Sequence, residues 1–270
     1  MNYKTMLLAS VAVLFASQAM AQDLTGAFSV PGKGQISSDT RIAMSREKTK
    51  FNKIKYIEDG VTASEFVEYG ITDKFSVNAG IENTFDVEGY YNNDHNFAYT
   101  IGAKYNTRFD DVLFQVSGRY NTFNTKEWYG RKERVGGARV YNRWEKALGF
   151  DLKAGLDLGN GITPYAVYSF DSIIDKSHRP IIQSVSAGIH KYTGKWAFDG
   201  AVRYEWSKGN GPKNSTETWF DGAVDYYLKD NVALGVYGSY LIDAHDKTYS
   251  VGKEHTNFAY EAGLRAKVLF

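Results

Sequence analysis

Tyr260-Glu-Ala-Gly-Leu-Arg-Ala-Lys-Val-Leu-Phe270 closes the chain and decides its fold. Phe258, Tyr260, Ala262, Leu264, Ala266, Val268 and Phe270 form one apolar row. Ala259, Glu261, Gly263, Arg265, Lys267 and Leu269 lie between them. A repeat of two puts these rows on opposite faces of a β-strand. Arg265 and Lys267 sit between apolar neighbours, so the two faces meet different solvents. Aromatics at both ends of the apolar row suit a strand crossing a membrane between two interfacial girdles.

The beginning of the chain agrees. Residues 1–21 carry Lys4, an apolar run from Met6 to Phe15, and Ala19-Met20-Ala21 before Gln22. This is the layout of a cleaved secretory signal, and its apolar run is too short to span a bilayer as a helix. Its removal takes one base, Lys4, and leaves 31 basic residues against 31 acidic ones. Such a balance gives no general attraction to nucleic acid. The chain has no cysteine, which excludes a disulfide scaffold and thiol chemistry. It has 20 Tyr, 16 Phe and 5 Trp at a mean hydropathy of -0.41. A barrel with a polar lumen and aromatic rims has this profile. No apolar run approaches the roughly 20 residues of a transmembrane helix.

The body alternates short turns with long polar connections. Short turns are read within Tyr69–Lys74, Tyr105–Asp111, Leu158–Gly161, Lys191–Lys195 and Leu228–Asn231. Asn160-Gly161 between alternating strands is the strongest of these signals. Longer connections are read at 45–58, 83–96, 122–142, 171–179, 207–217 and 242–256. The alternation is that of an outer-membrane barrel, short on the periplasmic side and long outside. The expectation is an all-β, antiparallel, up-and-down transmembrane β-barrel of about 12 strands, with 10 or 14 as alternatives. The strands fall near 35–44, 59–69, 75–84, 97–105, 111–121, 143–158, 162–170, 182–191, 195–206, 218–228, 231–241 and 257–270. An even count puts both termini in the periplasm. Residues 22–34 read as a periplasmic lead-in, with no plug, and 35–270 as a single barrel domain.

The alternation also assigns faces. A base on the lipid face near the midplane costs about 2–4 kcal/mol, so the charges must face inward. The expected pore-lining set is Lys104, Arg119, Lys153, Asp157, Asp199, Arg203, Glu205, Asp221, Asp225, Glu261, Arg265 and Lys267, with Glu82, Asp151 and His190 beside them. Signs are mixed within single strands. Two readings follow: a self-neutralising network, or opposed basic and acidic ladders that set a field across the pore. Small inward positions, among them Gly80, Gly102, Gly155 and Ser239, are expected to leave open space. The 122–142 connection carries Lys126, Arg131, Lys132, Glu133 and Arg134, either a solvated loop or a basic constriction. In 61–69, Glu65 falls in the apolar row and Phe66 in the polar one, which calls for a β-bulge or an inward Phe66.

No enzyme is expected. Asp243-Ala-His245-Asp246 superficially resembles the Asp-x-His element of omptin proteases, and Asp94-His95 is a second acid–imidazole pair. Neither has a matching Asp-x-Asp partner or a serine at strand spacing. No metal-ligand cluster, phosphate-cradling loop or cofactor motif appears.

The last strand resembles the C-terminal signature of Gram-negative outer-membrane β-barrels, whose assembly machinery reads a terminal Phe. That resemblance implies an assembly signal at Tyr260, Leu264, Val268 and Phe270. In size and strand number the chain is similar to small monomeric porins of the oligosaccharide-specific, oligogalacturonate type. Those porins line their pores mainly with bases, so the mixed lumen carries over no acidic-sugar substrate. The expected function is passive diffusion of small hydrophilic solutes through a narrow, mixed-charge pore. The expected partners are outer-membrane lipid, the assembly machinery and the solute, with no nucleic acid and a monomeric barrel. The alternative is a closed structural or adhesive barrel acting through its outer loops.

Overall fold

The computed structural model describes residues 27–51, 54–88, 95–128, 140–174, 181–208, 215–245, 247–249 and 252–270. Its strands are β1 (Ile36–Phe51), β2 (Ile54–Thr72), β3 (Phe75–Glu88), β4 (His95–Phe109), β5 (Val112–Trp128), β6 (Val140–Leu156) and β7 (Ile162–Ile173). They continue as β8 (Ile181–Thr193), β9 (Trp196–Lys208), β10 (Ser215–Lys229), β11 (Val232–Ala244), β12 (Lys247–Tyr249) and β13 (Gly252–Leu269). Each long strand pairs antiparallel with its neighbours, and β1 pairs with β13 to close the wall. The three-residue β12 pairs with the outer end of β13 at 252–254, so the barrel wall has twelve strands. Closure leaves no exposed sheet edge.

The five short turns lie where the sequence places them. Asn160 and Gly161 both have left-handed φ, 51° and 70°, and Ile162 N–H donates to Gly159 C=O at 3.1 Å. This is the mirror-image turn whose twist matches antiparallel strands. Terminal Phe270 exchanges backbone hydrogen bonds with Ile36, at 2.7 and 3.2 Å, which ties the end of the chain to its first strand.

Strands run longer than expected on the other side. Residues 45–51 and 54–58, read as part of a loop, are strand: β1 and β2 pair as far as Phe51 and Ile54. Ladder bonds continue past the membrane band because cross-strand polar pairs replace lipid contacts there, as with Arg46 and Asp59 at 2.5 Å. The segment 140–156 is one strand. Residues 129–139, with Arg131, Lys132, Glu133 and Arg134, lie outside the described residues.

The outer surface is apolar. Ile101, Val116, Phe150, Leu152, Phe198, Val202, Phe220 and Leu264 are all exposed on it. Aromatic pairs mark its rims: Tyr99 with Trp144 and Tyr240 with Phe258 at the long-hairpin end, Trp196 with Tyr226 at the short-turn end. The charged rows face inward. This is the inverted arrangement of a barrel whose solvent is lipid.

The odd strand β2 is settled by its register. Pairing with β1 and β3 runs unbroken from 60 to 69, so there is no bulge at Glu65. Phe66 turns inward, where a Cβ on Gly80 would collide with its ring. Glu65 turns outward and accepts hydrogen bonds from Ser38 Oγ, at 2.5 Å, and from Thr40 Oγ1. Satisfying both carboxylate oxygens lowers the cost of a polar group on the lipid face.

Residues 27–34, read from the sequence as part of a periplasmic lead-in, include a segment that contacts the inner face of the barrel. This segment turns up into the barrel from the short-turn end. Lys153 Nζ donates to Ala27 C=O at 2.6 Å, and Asn106 Nδ2 donates to Phe28 C=O. Sequence periodicity could not show this, because the segment belongs to no strand.

Candidate functional site

Ion pairs fill the inner face. Asp225 on β10 is nearly buried and receives Arg265 Nε at 2.6 Å and Lys267 Nζ at 2.8 Å, both from β13. Arg119 on β5 bridges Asp151 on β6 and Asp171 on β7, each at 2.5 Å. Arg203 on β9 lies 2.9 Å from both Glu205 and Asp221. Ser239 Oγ donates to Asp221 at 2.7 Å. Lys104 meets Glu68 at 2.6 Å, and Arg41 meets Asp39 at 2.6 Å. Tyr165 hydroxyl donates to Asp199 at 2.6 Å, with His190 Nδ1 at 3.2 Å on the other carboxylate oxygen. Asp157 stands apart from these, in the turn after β6, where Arg108 reaches it at 3.0 Å.

Apart from Lys153, the described bases of this inner face sit beside their own acids. The geometry is therefore a self-neutralising network, not a basic ladder facing an acidic one. Neutralisation is incomplete on one side. Arg119 and Arg203 each serve two carboxylates, and Asp199 has a histidine and a tyrosine. Glu82 and Glu261 make no described hydrogen bond or ion pair. Lys153 is unlike the other bases: its ammonium meets a carbonyl and two rings, Phe28 at 4.7 Å and Tyr165 at 4.3 Å. Among the described residues of the inner face, acids hold the surplus.

Small inward residues do not leave the space expected of them. A Cβ on Gly155 would lie 2.6 Å from the Phe28 ring, one on Gly188 2.7 Å from Tyr165, and one on Gly263 2.8 Å from Tyr237. These glycines are sockets for luminal rings. Two luminal rings also flank Arg41, whose guanidinium lies 5.7 Å from the Phe66 ring and 5.5 Å from the Tyr237 ring.

Two of the cavities among the described residues adjoin this network. The outer one, about 300 Å³, is lined by Ser45, Glu47, Glu58, Arg203, Trp219, Ser239 and Glu261. The inner one, about 370 Å³, is lined by Ala27, Ser29, His190, Asp199, Asp221, Asp225, Tyr237, Ser239, Arg265 and Lys267. Ser239 borders both, beside the Arg203–Asp221 pair. The sequence placed Arg203, Asp199, Asp221, Asp225, Glu261, Arg265 and Lys267 on the inner face, and the fold brings all seven to these cavities. It gave no sign of Phe28 or Tyr237 as luminal rings, whereas an inward Phe66 was one of its two readings of β2. An aromatic in the polar row of its strand was the available signal for Phe66.

At the outer rim Asp243 and His245 approach to 3.6 Å, both well exposed to solvent. Asp246 and Asp94 lie outside the described residues. Among the described residues no group of acids and histidines has the arrangement of a metal site. Of the assembly-signal residues, Leu264 is 61% exposed on the outer surface and Val268 is 4% exposed. Tyr260 packs edge-on against Phe258 in the outer girdle.

No family model matches the chain, and no curated protein matches its sequence. Among solved structures it is similar to the COG4313 outer membrane channel of Pseudomonas putida F1. The identity is 10% and the TM-score 0.61, over 94% of this chain and 100% of that one. It is also similar to the β domain of the Bordetella autotransporter BrkA, at 10% identity and a TM-score of 0.53, over 85% of this chain and 98% of that one. At such identities the likeness is one of fold, and the fold is that of an outer-membrane β-barrel.

Proposed function

We propose that the protein is a narrow outer-membrane channel that passes small hydrophilic solutes and favours cations. The observation that carries this reading is the pair of cavities, both lined by charged residues and sharing Ser239, inside a wall whose described acids exceed its described bases. Fixed carboxylates without a paired base draw mobile cations into a low-dielectric lumen and repel anions. Glu82 and Glu261 supply that field. Arg203 and Asp221, held by Ser239, stand where a solute passes from one cavity to the other. The fold shared with a channel from Pseudomonas putida is consistent with transport, though it identifies no solute. The likeness in size to oligosaccharide-specific porins likewise brings no substrate, because an acid-rich lumen disfavours acidic sugars. The reading includes Gram-negative outer-membrane location, export by the signal at 1–21 and no catalytic role.

Single-channel recording of the refolded mature chain under a salt gradient tests the proposal. Discrete steps with a cation-directed reversal potential are expected. Glu261→Gln moves that potential toward zero by several millivolts, because one fixed charge is removed from the outer cavity. A folded barrel that never conducts would point instead to a structural or adhesive role.

A further inference from the structure

The segment Ala27–Ser29 differs in kind from everything else in the lumen. The wall is held by backbone ladders, and the luminal side chains are anchored to the wall. Ala27–Ser29 belongs to no strand, and the described bonds that hold it come from side chains. Lys153 Nζ donates to Ala27 C=O at 2.6 Å, and Asn106 donates to Phe28 C=O. The Phe28 ring occupies the socket at Gly155 and covers the Lys153 ammonium at 4.7 Å. Ala27 and Ser29 then form part of the wall of the inner cavity.

Below this segment the chain is pinned. Gly34 N–H donates to Gly70 C=O at 2.8 Å, Gly70 N–H donates to Gln35 C=O at 2.9 Å, and Lys33 N–H meets Asp73 Oδ1 at 3.0 Å. Pro31 and Gly32 are buried against Gly70, where a side chain would strike their carbonyls. Gly34 has φ of +81°, a conformation glycine adopts without strain. The segment above Pro31 therefore has a fixed base. Withdrawing it breaks two described side-chain hydrogen bonds and one ring contact, and no ladder bond.

Lys153 is committed to this contact. Among the described residues its ammonium has no carboxylate in ion-pair range, whereas Lys104, Arg119, Arg203, Arg265 and Lys267 all do. An ammonium placed between two aromatic faces and a carbonyl is well satisfied while the segment is in place. With the segment withdrawn, that charge faces the inner cavity.

We propose that Ala27–Ser29 is a releasable plug of the inner mouth, with Phe28 as its stopper and Lys153 as its latch. The proposal rests on the channel reading above. It adds that the pore has a closed state built from its own N-terminal segment, and that pore opening follows withdrawal of Phe28 from the Gly155 socket.

The test compares single-channel recordings of the refolded mature chain, Phe28→Ala and Lys153→Gln, each confirmed as folded by its heat-dependent mobility on gels. Phe28→Ala removes the stopper and is expected to raise unit conductance roughly twofold or more. Lys153→Gln loosens the latch while keeping the stopper, so it is expected to raise the open fraction and leave the unit step nearly unchanged. A silent parent with a conducting Phe28→Ala supports the plug and overturns unregulated diffusion. Identical conductance and open fraction in all three chains overturn the plug and leave the channel standing. Silence in all three overturns both.

Discussion

The two faces of this barrel are made from the same strands by the same alternation, yet they are held by opposite means. On the outer face neighbouring side chains are apolar, contacts are interchangeable, and position matters mainly through depth in the lipid. On the inner face each group has assigned partners: Asp225 with Arg265 and Lys267, Arg119 with Asp151 and Asp171, Phe28 with Gly155. The comparison teaches that the outer face is specified by composition and the inner face by geometry. Substitutions should therefore fail in different ways on the two sides.

The largest effect is expected at Asp225→Leu. Removing this nearly buried acid leaves Arg265 and Lys267 facing each other unpaired, at a cost of about 3–5 kcal/mol. Urea-dependent refolding into lipid vesicles measures it, and a loss below about 1 kcal/mol would break the contrast between faces. Next comes Ile101→Arg, on the outer face midway between Phe97 and Tyr105 in β4. Exposing a base to lipid at that depth costs about 2–4 kcal/mol, although Lys104 is accommodated three residues away on the inner face. Gly188→Val follows. Its side chain would enter the space of the Tyr165 ring, costing about 1–3 kcal/mol by overpacking, and the same refolding assay should show it. The smallest effect is expected at Glu65→Leu. Loss of two hydroxyl bonds and gain of apolar surface on the lipid face offset each other to within about 1 kcal/mol. A large loss there would show that the outer face also contains a specified site.

The sequence alone made much of this legible. The two alternating rows of Phe258–Phe270, the Asn160-Gly161 turn and the short-long rhythm of connections are local signals. A strand's faces follow from its own residues, because its side-chain period is two. That is why twelve strands, their order and the inward rows could be read, and why Arg203, Asp199 and Asp225 were placed in the lumen before any partner was known. Strand ends were less legible. In β1 and β2 the apolar row stops at the membrane edge, while the ladder continues through Arg46 and Asp59, where composition no longer distinguishes strand from loop.

Tertiary structure alone decided who meets whom inside. Arg265 finds Asp225 across 40 residues, and Lys153 finds Ala27 across 126. Such distances are bridged by strand register and barrel closure, which no periodicity encodes. The same holds for the sockets. A glycine in an inward row reads as empty space until closure brings a ring from elsewhere against it, as Phe28 fills Gly155 and Phe66 fills Gly80. Period two determined that this chain would carry its charges inward. The curvature of a closed twelve-strand wall, which crowds inward side chains toward one axis, determined that they would pair, interlock and leave two small cavities between them.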